Sequence, residues 1–346
     1  LLQQADSIMN IDDDSAKVAI KLLDKVKPQL NDFSKAQRMR YQLLYHKAMN
    51  KADISFSSDS IMKNVVAYYE KHGTSNERML AYYMLGCVYR DIHEAPMALE
   101  YYNKATEQAD TTSQDCDYAT LCRIYGQMGI LFEKQFLPYQ ELGALDKAVK
   151  YAYSAKDTLN ALRYYQNKNS AYDFLGKKDS AMIINLKAAN LFRKHGYDYD
   201  ANIAFGCNYI YYIDNQNYPK AKEAFEAYQS TNYQGNTNYD DSKAFLLYEK
   251  GLYYMFTNNL NIAYTCLQQS LKLSKSYSNK CAATKGLAKY YTKTNHSALA
   301  AEYALLSSEY NDSSLYELRE SQLQQMQAMY DYSRNQKLAK EAEYKA

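Results

Sequence analysis

AYYMLGCVYRDIHEAPMALEYYNKA, residues 81–105, is the stretch whose reading decides the fold. Tyr82, Leu85, Gly86 and Tyr89 recur at helical spacing, and so do Ala98, Tyr102 and Ala105 after the break at Pro96. The first set gives a helix a bulky-and-small stripe, and the second gives its successor a stripe of alanines and one ring. Two such helices bury their stripes by folding back on each other. Gly86 and Ala98 mark the closest approach of the two backbones, where a larger side chain would pry the pair apart. Ala105, two turns after Ala98 on the same face, accepts the next unit.

The pattern returns along the chain. Aligned on the second-helix alanine, Ala98 is followed by Ala148, Ala181, Ala221, Ala263 and Ala300, in steps of 50, 33, 40, 42 and 37 residues. This spacing resembles the tetratricopeptide repeat, whose pure array steps by ~34 residues. First helices are read at Tyr125, Met128, Gly129 and Phe132, at Tyr165, Tyr172 and Gly176, at Phe205, Tyr209 and Tyr212, at Leu247, Gly251 and Tyr254, and at Leu287, Ala288 and Tyr291. The step of 50 predicts an insertion over roughly Lys134 to Leu142, including Pro138. Upstream, Ala16, Ile20, Leu23 and Pro28 match a second helix with Asp14 as its N-cap.

The expected fold is therefore all-α: a right-handed tetratricopeptide superhelix of about eight helix pairs over residues 1–310. Residues 311–346 then form a long C-terminal helix. From Leu315 to Ala346 there is no Gly or Pro, and Leu323, Met326 and Tyr330 give a short 3-4 seam. That helix is expected either to cap the last repeat or to project as a stalk, with a dimer contact along the seam.

Composition narrows the function. Only 4 Pro and 11 Gly occur in 346 residues, too few for a β-sandwich or long flexible linkers. There is no Trp but there are 39 Tyr, whose rings fill gaps between helices while their hydroxyls reach the rim, where some could line a groove for sugars or peptides. A net charge of +2, from 41 basic and 39 acidic residues, leaves no footprint for nucleic acid. No apolar run approaches the ~18 residues of a membrane span. The six cysteines Cys87, Cys116, Cys122, Cys207, Cys266 and Cys281 have neither a CxxC nor a metal spacing, and read as reduced packing residues. No GxGxxG, GxxxxGK[ST], HExxH or GxSxG occurs, the five histidines are scattered, and Asp12, Asp13 and Asp14 lack the glycine and closing glutamate of a calcium loop. A non-catalytic protein with no cofactor and no metal is expected.

In such an array the first helices line the inner groove. The register puts Tyr83, Arg90, Arg123, Arg163, Gln166, Asp173, Tyr248, Lys285 and Lys289 there. Arginines alternating with tyrosines suit an acidic or C-terminal protein or peptide ligand, held by charge-assisted hydrogen bonds and ring contacts. The Lys/Asn carboxylate clamp of chaperone-tail binders is not reproduced. A further pattern, Asp followed by Ser or Thr, recurs at Asp6, Asp14, Asp59, Asp110, Asp157 and Asp179. It suits helix caps, and it also resembles an O-glycosylation acceptor of exported Bacteroidetes proteins.

Five stretches carry a wider resemblance: QRMRYQLLYHKAMNKA, SDSIMKNVVAYYEKHG, LGCVYRDIHEAPMALEYYNKA, RIYGQMGILFEKQ and LYELRESQLQQMQAMYDYSRNQKLA. Together they resemble exported, membrane-anchored tetratricopeptide proteins of gut Bacteroidetes. The resemblance implies an export signal upstream, an extracytoplasmic (periplasmic) repeat domain, and a membrane helix with a signalling segment downstream. A start at Leu1 without Met and an end inside a helical pattern agree with that layout. The resulting expectation is the binding or sensing part of a membrane-anchored signalling protein, touching membrane only through segments outside this chain. A glycan-binding helper with a tyrosine-rich groove, a cytoplasmic regulator and a purely structural scaffold are the alternatives.

Overall fold

A computed structural model describes residues 1–9, 15–231 and 240–345, with side chains as far as residue 324. Its helices are α1 (Leu2–Ile8), α2 (Ser15–Val26), α3 (Lys35–Lys51), α4 (Ser60–His72), α5 (Ser75–Asp91), α6 (Ala95–Glu107), α7 (Tyr118–Lys134) and α8 (Pro138–Ser154). They continue as α9 (Thr158–Phe174), α10 (Lys178–Lys194), α11 (Asp198–Gly206), α12 (Tyr209–Asp214), α13 (Tyr218–Ser230), α14 (Asp240–Phe256), α15 (Leu260–Leu273), α16 (Tyr277–Lys293) and α17 (Ser297–Lys345). No strand forms among the described residues. The fold is all-α and built from tetratricopeptide-like helix pairs, as the spacing predicts. Contacts divide the chain into two units, Leu1–Ala171 and Tyr172–Ala346, and the division falls inside α9.

Helix starts are marked by side chains that satisfy free backbone N–H groups. Thr74 and Glu77 form a capping box at α5, Ser34 and Gln37 form another at α3, and Asp117 and Ser276 accept from Thr120 N and Asn279 N at α7 and α16. Eight tight connections carry one residue with positive φ: His93, Phe136, Lys156, Gly176, Gly196, Gln216, Asn258 and Asn295. Only two of these are glycines, so the left-handed turn is imposed by the packing of the helices it joins.

Within a pair, one register recurs. Gly86 and Ala98 stand twelve residues apart, as do Gly129 and Glu141, Gly251 and Ala263, and Ala288 and Ala300. The residue four after the second member is the filler that enters the gap. A Cβ on Gly86 would lie 2.4 Å from the Tyr102 ring, one on Gly129 2.9 Å from Leu145, and one on Gly251 2.6 Å from Leu267. Glycine is thus required at Gly86 by close approach and not by its dihedral freedom. Ala98 and Tyr102 are fully buried.

Three sequence expectations need correction. The insertion at Lys134 to Leu142 does not exist: Pro138 opens α8 after a three-residue link, and the extra length lies in the connection from α6 to α7. The cause is a misalignment by two turns, because Glu141, not Ala148, occupies the small position of that pair. The first helix around Phe205 to Tyr212 is broken into α11 and α12 at Asn208, whose side chain instead bonds Asn185 (3.0 Å) and the Met182 carbonyl. Of the Asp-Ser/Thr triplets, Asp157 caps a helix, accepting from Asn160 N. Asp110 closes a turn on Thr112, Asp179 lies inside α10 and accepts from Tyr211, and Asp59 makes no cap bond.

At the end of the chain, α17 runs unbroken through residues 310 and 311, where the repeat region was expected to stop. Asp12, Asp13 and Asp14 lie outside the described residues, as do the side chains of Met326 and Tyr330 in the expected seam.

Candidate functional site

In the second unit, α12, α14, α16 and α17 enclose an open cleft of about 1040 Å³. Leu267 of α15 sets up its floor. Cβ atoms on Gly251 and Gly286 would each approach Leu267 to 2.6 Å, so α14 and α16 are drawn tightly onto α15. On the other side of α16 the filler position belongs to Ala304, four residues after Ala300. Both are small and face the cleft. Where α6 presents the buried ring of Tyr102, α17 presents a small, exposed side chain on the cleft wall.

One wall carries charge. Lys285, Lys289 and Lys293 follow at one-turn intervals on α16 and all line the cleft, opposite Asp214 of α12. Lys293 Nζ donates to the Met255 carbonyl at 2.8 Å. Lys289 Nζ lies 3.9 Å from Asp214 Oδ1, and Lys178 Nζ is the same distance from the other carboxylate oxygen. Burial, with repulsion from Lys285, lowers the Lys289 ammonium pKa, which Asp214 partly opposes. Leu252, Met255 and Phe256 make the apolar floor, and half-exposed Tyr218 stacks on Phe256 at 5.7 Å. An apolar floor beside a cationic wall can hold an extended ligand with carboxylates along one edge.

The nine expected groove residues are divided between the two units. Five belong to the first unit and four to the second. Tyr83 is 4% exposed, with its ring against Tyr102, and Tyr248 is 6% exposed behind Gly286. Both are core residues, because α5 and α14 are packed on more than one side. Arg90 is engaged within its unit: it donates to Asp91, Gln127 and Asn50 and forms an ion pair with Asp91 at 2.7 Å. Arg123 is half-buried beside the Tyr83 and Tyr164 hydroxyls, Arg163 is exposed and Gln166 half-buried. Asp173 lines a separate cavity of about 280 Å³ with Lys178 and Asp214.

Only Lys285 and Lys289 of the nine share the large cleft. The reading missed Lys293, Asp214 and the apolar floor. A signal for the first was present, since KGLAKYYTK repeats lysine with helical period. The others come from elements distant in sequence. Among the described residues, no group of three His, Cys, Asp or Glu is placed to hold a metal ion, and no helix is long and apolar enough to cross a membrane.

No protein-family model and no curated protein matches the chain. Among solved structures it is similar to a Rap protein complexed with competence and sporulation factor, at 13% identity and a TM-score of 0.53, covering 99% of this chain and 96% of that one. It is also similar to the apo form of the quorum sensor NprR from B. thuringiensis, at 12% identity and a TM-score of 0.55, covering 85% and 93%. These likenesses show a shared helical-repeat fold.

Proposed function

We propose that this chain is a non-catalytic binding scaffold whose ligand is a peptide or protein segment held in the α16 cleft. The carrying observation is the stripe Lys285, Lys289 and Lys293 above the floor of Leu252, Met255 and Phe256. Three ammonium groups face one aspartate, so the cleft favours a ligand with acidic side chains or a terminal carboxylate on one edge and apolar side chains on the other. Of the residues in the expected groove, Lys285 and Lys289 serve this site, whereas Tyr83 is buried and Arg90 is already engaged. The similarly folded Rap protein is complexed with competence and sporulation factor and NprR is a quorum sensor, which supports a sensing role. Resemblance of five stretches to exported Bacteroidetes proteins supports an extracytoplasmic, membrane-anchored setting, and fractionation of the native host tests it.

Fluorescence anisotropy with short labelled amphipathic peptides, acidic or with the acids amidated, tests the ligand class. The acidic set is expected to bind and to weaken with salt. Equal binding of both sets, or none, overturns the reading. Oligosaccharide binding that depends on Tyr218 would instead select the glycan reading, favoured by the Tyr218–Phe256 stack at the cleft mouth.

A further inference from the structure

A second cavity of the same unit, at the opposite end of α14, has a different chemistry. It measures about 580 Å³ and forms where the first helix of its pair breaks between α11 and α12. The break turns the Asn208 side chain onto α10 and leaves Tyr209 and Ile210 on the cavity wall. Phe225, Tyr228, Phe245 and Leu246 complete an apolar and largely aromatic lining. The rings are held in place: Tyr209 and Phe225 lie 5.2 Å apart at 45°, and Phe225 stacks on Tyr253 at 4.4 Å.

Into this lining α14 contributes two carboxylates, Asp241 at its start and Glu249 two turns further on. Asp241, Asn279 and the Tyr209 hydroxyl are engaged. Tyr209 Oη donates to the Glu249 backbone carbonyl at 3.1 Å. Asp241 accepts from the Lys275 and Ser276 backbone N–H groups, and Asn279 donates to the Asp241 carbonyl. The Glu249 carboxylate has no hydrogen-bond or ion-pair partner among the described residues, and burial alone pushes its pKa up to about 7. Glu249 is half-buried, and an unpaired carboxylate among rings is stabilised by a cation brought next to it. Aromatic faces and a carboxylate together make the recognition surface of an organic ammonium ion.

We propose that this cavity is a binding site for an organic ammonium group carrying an apolar body. Glu249 neutralises the cation, and the faces of Tyr209, Phe225 and Tyr228 surround it. The site shares no lining residue with the lysine cleft and would favour a ligand of opposite charge.

Titration calorimetry on the full chain uses 2-phenylethylammonium as the probe, with 2-phenylethanol and phenylacetate as neutral and anionic controls. The ammonium is expected to bind, the alcohol at least tenfold more weakly, and the acid not at all. Glu249→Gln keeps the shape and is expected to reduce ammonium affinity at least tenfold, while Tyr228→Leu reduces it less. A tripeptide beginning with phenylalanine, free or acetylated at its amine, separates a peptide terminus from a small amine. Free-amine binding with loss on acetylation extends the site to peptide termini. Lys285→Ala with Lys289→Ala is expected to leave ammonium affinity unchanged, so failure here and failure of the peptide cleft are told apart. No binding of 2-phenylethylammonium, equal binding of the alcohol, or undiminished binding by a folded Glu249→Gln protein overturns the proposal.

Discussion

The α5/α6 and α16/α17 pairs are built on one spacing, yet the filler position is buried in one and faces an open cleft in the other. In the first, Gly86 and Ala98 meet over the ring of Tyr102, and all is buried. In the second, Ala288 and Ala300 hold the same positions, but the filler is Ala304, which lines a cleft of about 1040 Å³ walled also by α12 and α14. A small side chain at the filler position, together with the walls from α12 and α14, thus accompanies a repeat that can take a ligand. The scaffold tolerates this because each repeat contacts only its neighbours, so a gap in one pair need not loosen the rest.

The largest effect expected from this contrast is at Ala98. Ala98→Leu should overpack the closed pair and cost about 1–3 kcal/mol in denaturant unfolding. Ala304→Leu, in the open pair, should cost less than about 0.5 kcal/mol while abolishing peptide binding. Equal stability losses in the two variants would show that the cleft is not a true gap.

Glu141 sharpens the comparison, because it puts a carboxyl where Ala98 and Ala300 put a methyl. It is 3% exposed, accepts from Ser170, and burial pushes its pKa up to about 7. Its folded-state pKa lies above the unfolded value, so the folded chain holds a proton that the unfolded chain releases between about 4.5 and 7. This contribution to stability is therefore lost as pH rises through that window. Glu141→Gln should remove that part of the pH dependence and stabilise the protein by about 1–3 kcal/mol at pH 8. Parallel denaturation curves of variant and wild type across this range isolate the group, and identical pH profiles would refute the assignment.

In the open pair, the Lys285→Ala, Lys289→Ala double variant should weaken acidic peptide binding about tenfold, or about 1.4 kcal/mol, with the unfolding midpoint nearly unchanged. A large stability loss instead would make those lysines structural.

The smallest effect is expected at a turn. Lys156 holds φ +59° between α8 and α9, where the turn after α9 uses Gly176. Lys156→Gly should raise stability by up to about 1 kcal/mol by relieving left-handed strain, less what glycine adds to unfolded-state entropy. A thermal melt reads this directly, and destabilisation would mean that the lysine side chain contributes more than its backbone strain costs.

How legible the molecule was in its sequence depended on whether a feature is periodic. Gly86, Ala98, Tyr102 and Ala105 repeat with the helix, so the pair and its buried face could be read from spacing alone. Glu141 could not: a glutamate in an alanine slot looks polar until a Ser170 hydroxyl and a buried surface are placed around it. The reading put Tyr83 and Tyr248 on a groove because it assigned each first helix one open face. In the folded chain a first helix also meets the pairs on either side, and those contacts take the rings. Asn208 broke a helix for a bond to Asn185, a partner that no local pattern announces.

By itself, then, the sequence determined that the chain is a stack of small-residue helix pairs, because short-range periodicity fixes which face each helix must bury. Only the tertiary structure decided where that stack stays open and what lines the opening. Ala304, Asp214 and Leu252 lie on three helices, and Glu249 gains its aromatic surroundings from α12 and α13. A cavity is defined by what fails to fill the space between elements, and that depends on side chains far apart in the chain.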